Sequence, residues 1–133
     1  MAIFNKGNNE STTETTVISS GAKIKGEFNF ESMLHVDGIL EGDIFSSSVV
    51  VIGNQGRIQG TLKAKKLIVS GIFLGDADCG SIQILAGGSI NGNVISEEFV
   101  IESKATFEGK SSVRKVDEEN TGQLDILIQK DDE

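Results

Sequence analysis

The side chains best suited to chemistry are few and scattered along this chain. It holds one histidine, His35, and one cysteine, Cys79. A zinc site needs three or four His, Cys or carboxylate ligands gathered together, and this pair does not supply them. His35 stands between Leu34 and Val36 in an alternating apolar pattern, so we expect it to point outward from a strand. The sequence therefore predicts neither a metal site nor a catalytic histidine.

A short motif, Gly-Lys-Ser at 109–111, matches the end of a phosphate-binding loop. That loop also needs a glycine five residues before its closing glycine, and Lys104 stands there instead. Asp76 and Asp78 lack the repeated Gly-Asp array of calcium-binding solenoids, so we expect them to be solvated. We predict no nucleotide, cofactor or metal, and no enzyme activity.

The glycines, in contrast, follow a regular order. Six copies of one phrase (small residue, any, bulky apolar, any, glycine) close at glycines separated by 16, 18, 15, 17 and 17 residues. The closing glycines are Gly26, Gly42, Gly60, Gly75, Gly92 and Gly109. A short, nearly constant period predicts a solenoid, which is a stack of like units with two open ends.

Each unit is too short to hold a helix together with a strand and turns. Its apolar residues alternate in three short runs, which indicates three strands and three corners, or one coil of a triangular parallel β-helix. Equivalent apolar residues then stack into a core column: Ile24, Leu40, Ile58, Phe73, Ile90 and Phe107. Six coils about 4.8 Å apart make a rod about 25–30 Å long. An ordinary β-sandwich is the alternative, but its strands are not equivalent.

Length and charge bound the organisation of the 133 residues. We expect one β-helix domain at 18–112, a flexible tail at 1–17 and an acidic flexible tail at 113–133. The formal charge of −8 and the lack of a basic stripe argue against nucleic-acid binding. A single cysteine, no export signal and no long apolar run favour the cytoplasm.

The chain resembles the bactofilins, which are bacterial cytoskeletal proteins. The likeness covers about 18–112 and rests on His-Val-Asp-Gly at 35–38, Leu-Glu-Gly at 40–42, Val-Val-Ile-Gly at 50–53, Leu-Ile-Val-Ser-Gly at 67–71 and Ile-Asn-Gly at 90–92. The resemblance implies a right-handed β-helix that polymerises end to end into non-polar filaments without nucleotide. It also implies a scaffold for cell-wall-modifying enzymes beneath the inner membrane, with an influence on cell shape.

The open ends support assembly independently of that likeness, because exposed sheet edges are templates for pairing. We predict a polymerisation interface at both ends, formed by the following residues: Phe107, Phe99 and Ile101 in the last coil, and Ile18, Ile24 and Phe28 in the first. The resemblance also matches Phe107 to an end-contact phenylalanine of the family.

For two further segments the sequence allows two interpretations each. The start of the chain, with Ile3, Phe4 and Lys6, is similar to a membrane-contact segment of the family, and a merely flexible start is the alternative. The apolar run 124–128 lies between acidic residues and either covers the last coil or binds a partner as an added strand. Possible partners are thus the chain itself, a membrane surface, cell-wall-modifying enzymes and membrane adaptor proteins. A β-helix acyltransferase-like enzyme, or an inactive relative, is the alternative function, although such enzymes repeat in strict hexads.

Overall fold

The computed structural model describes residues 14–114, which form ten β-strands and, within that range, no helix. Every strand pairing is parallel, and each coil is in register with the next. The strands are β1 (Thr15–Ile18), β2 (Lys23–Phe30), β3 (Met33–Val36), β4 (Ile39–Ser46), β5 (Val49–Ile52), β6 (Arg57–Val69), β7 (Ile72–Ile84), β8 (Ser89–Ser96), β9 (Glu98–Ile101) and β10 (Thr106–Val113). This all-parallel stack of about six coils confirms the β-helix and excludes the sandwich.

Each coil has three faces, which we name in chain order. The first face consists of β1, β3, β5, residues 66–69 of β6, residues 81–84 of β7, and β9. The second face is the four-residue stretch that ends at each closing glycine, and the third face is the stretch that follows it. Because strand side chains alternate in direction, each face has an inward set that forms the core and an outward set.

The corner between the second and third faces depends on glycine. All six closing glycines have positive φ, for example +135° at Gly75 and +130° at Gly42. A Cβ at Gly75 would lie 1.9 Å from the carbonyl oxygen of Gly60 in the coil below. This corner therefore needs glycine both for its backbone conformation and for the close approach of adjacent coils.

The length of the repeat varies because the connections at the other two corners differ in length. Between the first and second faces the connection has either two residues, as at 37–38, or four, as at 53–56. Between the third and first faces it shortens from two residues, as at 47–48, to one, as at Lys65. The faces keep a constant length, so the ladder stays in register although the period varies between 15 and 18 residues.

The core runs as continuous columns along the axis. In the predicted column Leu40, Ile58, Phe73 and Ile90 are fully buried, whereas the end members Ile24 and Phe107 are partly exposed. The described strands begin at Thr15 and end at Val113, three residues before and one residue after the predicted domain 18–112. Thr16 occupies an inward position beside Leu34, and this polar residue obscured the apolar alternation at the start. The rest of both tails lies outside residues 14–114.

Candidate assembly interface at the two end coils

The two end coils expose the edges of the sheet. Within residues 14–114, β1 and β2 pair only with β3 and β4, while β9 and β10 pair only with β7 and β8. The outer side of each end coil therefore presents backbone N–H and C=O groups that its neighbours inside the stack use in the ladder. Such an edge favours pairing with another chain.

The end coils also expose the cross-section of the core. Ile24 is 36% exposed, whereas its ladder partner Leu40 is fully buried. At the other end Ile101 is 46% exposed, and its partner Ile84 is fully buried. The inward direction of these side chains is the same throughout the stack. The difference arises because, within residues 14–114, no strand pairs with the outer side of either end coil.

Aromatic rings add to the apolar area at both ends. Phe28 and Phe30 in the first coil are half-buried, with ring centroids 6.0 Å apart and planes nearly parallel at 6°. Phe99 and Phe107 in the last coil are half-buried and meet edge to face, with centroids 5.2 Å apart. Large rings of this kind dominate the energetics of protein interfaces. Each end thus offers a pair of rings that a second molecule would cover.

The structure brings the six predicted interface residues together in two groups of three. Phe99, Ile101 and Phe107 share the last coil, and Ile18, Ile24 and Phe28 share the first. Ile18 differs from the others, because it is only 9% exposed and lies mostly within the core.

Sequence reasoning missed Phe30. Its column continues through Ser46, Ala64, Cys79 and Ser96 before reaching Val113. Small and polar residues in that column concealed the apolar periodicity. Phe30 was nevertheless detectable, because it follows Phe28 by two residues in the same strand and therefore points to the same side.

An ion-pair cluster fixes the end of the last coil. The Arg114 guanidinium donates a hydrogen bond to the Asp78 carboxylate, lies 3.5 Å (Nε to Oε2) from Glu97, and approaches the Cys79 carbonyl oxygen at 3.4 Å. The hydrogen bond to Asp78 raises the pKa of Arg114, so the guanidinium stays charged. The cluster spans three coils along one corner, and it is where the described chain ends.

The residues considered first for chemistry take ordinary structural positions. His35 Nε2 lies 3.1 Å from Asp37 Oδ2 on the outer surface. Cys79 is fully buried, and burial raises the pKa of its thiol to about 12. Over residues 14–114, no three His, Cys, Asp or Glu side chains gather into a possible metal site. The same residues include no helix of the length and apolar character needed to cross a membrane.

These features define a class of protein, a β-solenoid with two open apolar ends. Residues 16–112 match the family model of bactofilin, described as polymer-forming cytoskeletal. The chain is 24% identical over 108 residues to bactofilin BacP of Myxococcus xanthus strain DK1622, an alignment that covers 80% of this chain and 45% of the relative. The chain thus spans less than half the length of that relative.

The fold is similar to that of the cytoskeletal bactofilin BacA, whose atomic structure was revealed by solid-state NMR. The TM-score is 0.70 at 23% identity, and the match covers 76% of this chain and 97% of BacA. The family match covers most of the chain, so the chain belongs to the bactofilin family of polymer-forming cytoskeletal proteins.

Proposed function

We propose that this chain polymerises through both ends of its β-helix into non-polar filaments, without nucleotide. The observation that carries the proposal is the exposure of core residues at both ends, seen most clearly where Ile24 and Ile101 are open beside fully buried ladder partners. Joining two ends buries this apolar area and pairs the edge backbone groups.

Contact between like ends accounts for a non-polar filament. An isologous contact about a two-fold axis brings the same patch of both molecules together, and it is the commonest form of self-association. A first-coil contact then joins Phe28 and Phe30 to their copies, and a last-coil contact joins Phe99 and Phe107 to theirs. Alternating the two contacts produces a filament whose two directions are equivalent. The likeness to bactofilins supports this arrangement over a head-to-tail one.

We further propose that the filament acts as a scaffold at the inner face of the cytoplasmic membrane, where it organises cell-wall-modifying enzymes and so influences cell shape. Ile3, Phe4 and Lys6 lie outside the described residues and are the proposed membrane contact. One short apolar segment binds a bilayer weakly, but many copies along a filament bind together with much higher avidity. Membership of a polymer-forming cytoskeletal family favours this structural role over an acyltransferase-like enzyme.

Sedimentation and negative-stain microscopy of the purified chain without nucleotide test the proposal. We expect filaments that pellet equally with and without ATP or GTP. A strictly monomeric protein at high concentration, or pelleting that requires a nucleotide, would overturn it. Filaments with a consistent direction in averaged images would retain polymerisation and reject contact between like ends.

A further inference from the structure

The outward surfaces of the three faces differ sharply in charge. The third face carries four acidic residues and two lysines: Glu27, Asp43, Asp76, Asp78, Lys63 and Lys110. The second face carries three basic and two acidic residues: Lys23, Lys25, Arg57, Glu41 and Glu108. The first face has only Lys66 and Glu98, together with His35. It is the least charged of the three.

The first face is also the most apolar on its outside. Half of its twelve outward positions are apolar: Val17, Met33, Val49, Val51, Ile68 and Val100. Val17 and Val100 are more than half exposed, and Val51 and Ile68 are half-buried among their neighbours. These six positions, which we call the apolar strip, occur in every coil except the fifth, where Ser81 and Gln83 take their place. The strip is the largest group of outward apolar residues on any of the three faces, which makes it a candidate docking site.

The chain leaves the described structure beside this face. Arg114 is the corner residue that leads from the third face to the first, and its backbone N–H still donates to the carbonyl oxygen of Ser96 in the coil below. The ion pairs of Arg114 with Asp78 and Glu97 hold the chain at that point. Everything that follows in the sequence therefore starts at the edge of the first face.

The length of chain beyond this point is sufficient to cover the face. Nine residues, 115–123, precede the apolar run 124–128. Extended, they span up to about 30 Å. The six-coil face is roughly 29 Å tall at about 4.8 Å per coil. Leu124 can thus reach any coil of the first face.

Charge favours a path of the chain after Arg114 along the corner between the third and first faces. A groove of about 700 Å³ lies there, and its charged lining residues are Lys65 and Lys66 in the middle and Glu97 and Glu98 towards Arg114. Lys65 is three coils below Arg114, or about 14 Å away at 4.8 Å per coil, which four or five extended residues span. The acidic run Asp-Glu-Glu at 117–119 lies at that distance along the chain. Carboxylates at that distance are opposite in charge to the two lysines. Of the two glutamates in the groove, Glu97 is paired with Arg114 and Glu98 lies two coils above Lys66.

We propose that the apolar run 124–128 of the same chain docks on the first face, over Val51 and Ile68, with the acidic run 117–119 beside Lys65 and Lys66. Leu124, Ile126 and Ile128 alternate as in a strand, so they present one apolar side to the face. The docked segment thus covers Val51 and Ile68, which form the middle of the apolar strip.

The chain's own segment fits better than a second copy. The face is roughly 13 Å by 29 Å, or about 400 Å², half of the roughly 800 Å² per partner in a stable interface. Two copies also carry a formal charge of −8 each and repel one another. A tethered segment docks at a high effective concentration, so a small area is enough.

Tryptophan quenching of a bimane label on the full chain tests the proposal directly. The chain contains no Trp, and its single cysteine, Cys79, is fully buried and resists labelling. A bimane is attached through Gln129→Cys, next to the apolar run. The quencher is introduced by Val51→Trp on the first face or, as a matched control in the same coil, by Thr61→Trp on the third face. Circular dichroism verifies folding, and Ile68→Trp replaces Val51→Trp if that variant does not fold.

We expect Val51→Trp to remove more than half of the bimane emission, Thr61→Trp to leave it unchanged, and Ile126→Ser with Ile128→Ser to restore it. Equal emission with both tryptophans, whether bright or quenched, would overturn the proposal. Mixing chains that carry only the label with chains that carry only the tryptophan distinguishes quenching within one chain from quenching between two chains. Quenching that appears in such mixtures as strongly as within one chain would assign the face to a second copy instead.

Discussion

The four inner coils and the two end coils share one backbone path but differ at equivalent side-chain positions. At the corner between the first and second faces the inner coils carry Gly38, Gly56, Gly71 and Gly88, whereas the end coils carry Ala22 and Ala105. A Cβ at Gly56 would lie 2.0 Å from the carbonyl oxygen of Val36 in the coil below. Among the described residues no strand lies below the first coil, so Ala22 meets no such carbonyl group. The last coil does lie above the coil of Gly88, and the described structure does not explain why it carries Ala105.

Aromatic residues show the opposite distribution. Among inward positions the inner coils hold only Phe73, while the end coils hold Phe28, Phe30, Phe99 and Phe107. Inward positions of the inner coils are packed between two coils, and aliphatic residues fill most of their columns. End positions are constrained on one side only, and they carry the largest apolar rings. Coils between two neighbours therefore have closely packed columns, whereas coils with one described neighbour leave their apolar rings partly exposed.

The largest effect is expected from a charge in an inner coil. Val69→Asp places a carboxylate at a fully buried position, and an unpaired buried charge costs several kcal/mol, which is comparable with the stability of a small domain. We expect loss of the cooperative transition in circular-dichroism melts. Lys65→Ser is the control, because Lys65 is exposed and such substitutions usually change the stability by less than about 0.5 kcal/mol. A parent-like melt for Val69→Asp would refute the inward register.

A matched pair of glycine substitutions tests whether inner and end coils differ in how closely they are stacked. Gly75→Ala puts a methyl group 1.9 Å from a backbone oxygen, whereas the methyl group of Gly26→Ala has Phe28 Cζ as its nearest atom, at 3.7 Å. Both positions have positive φ, so both pay backbone strain of about 1–3 kcal/mol. We expect Gly75→Ala to melt at a much lower temperature than Gly26→Ala. Equal melting temperatures would show that close stacking does not constrain this corner.

Phe107→Arg tests whether an end coil tolerates what an inner coil does not. Burying a phenylalanine contributes about 1.5–3 kcal/mol, and a two-fold contact would bring two arginines together. We expect a folded protein that no longer forms filaments and associates only through its first coil, as a dimer by light scattering. Normal filaments would show that the last coil is not an interface. An unfolded circular-dichroism spectrum would instead place Phe107 with the inner core.

The smallest effect on folding and assembly is expected at the start of the chain. Removal of residues 1–8 deletes Ile3, Phe4 and Lys6, none of which belongs to the β-helix described from residue 14 onward. We expect co-sedimentation with liposomes to be lost while filaments still pellet in their absence. Loss of the filaments themselves would mean that this segment takes part in assembly.

The coil can be predicted from the sequence, because the repeat is too short for any element other than strands and the glycines recur at one corner. It also determined which residues face inward, such as Val69 and the column from Ile24 to Phe107, since strand alternation fixes direction once one column is known. These features are local and repeat six times, so each copy supports the others.

Features at the ends of the repeat, and contacts between residues far apart in the chain, are visible only in the folded structure. The ion pairs of Arg114 join it to Asp78, 36 residues earlier in the chain, and a contact across three coils leaves no local signal. The near-complete burial of Ile18 and the ring pair of Phe28 and Phe30 depend on how the first coil closes over its neighbour. The low charge of the first face is recognised only when positions 15–18 residues apart are aligned in space, because its residues come from six separate segments of the chain.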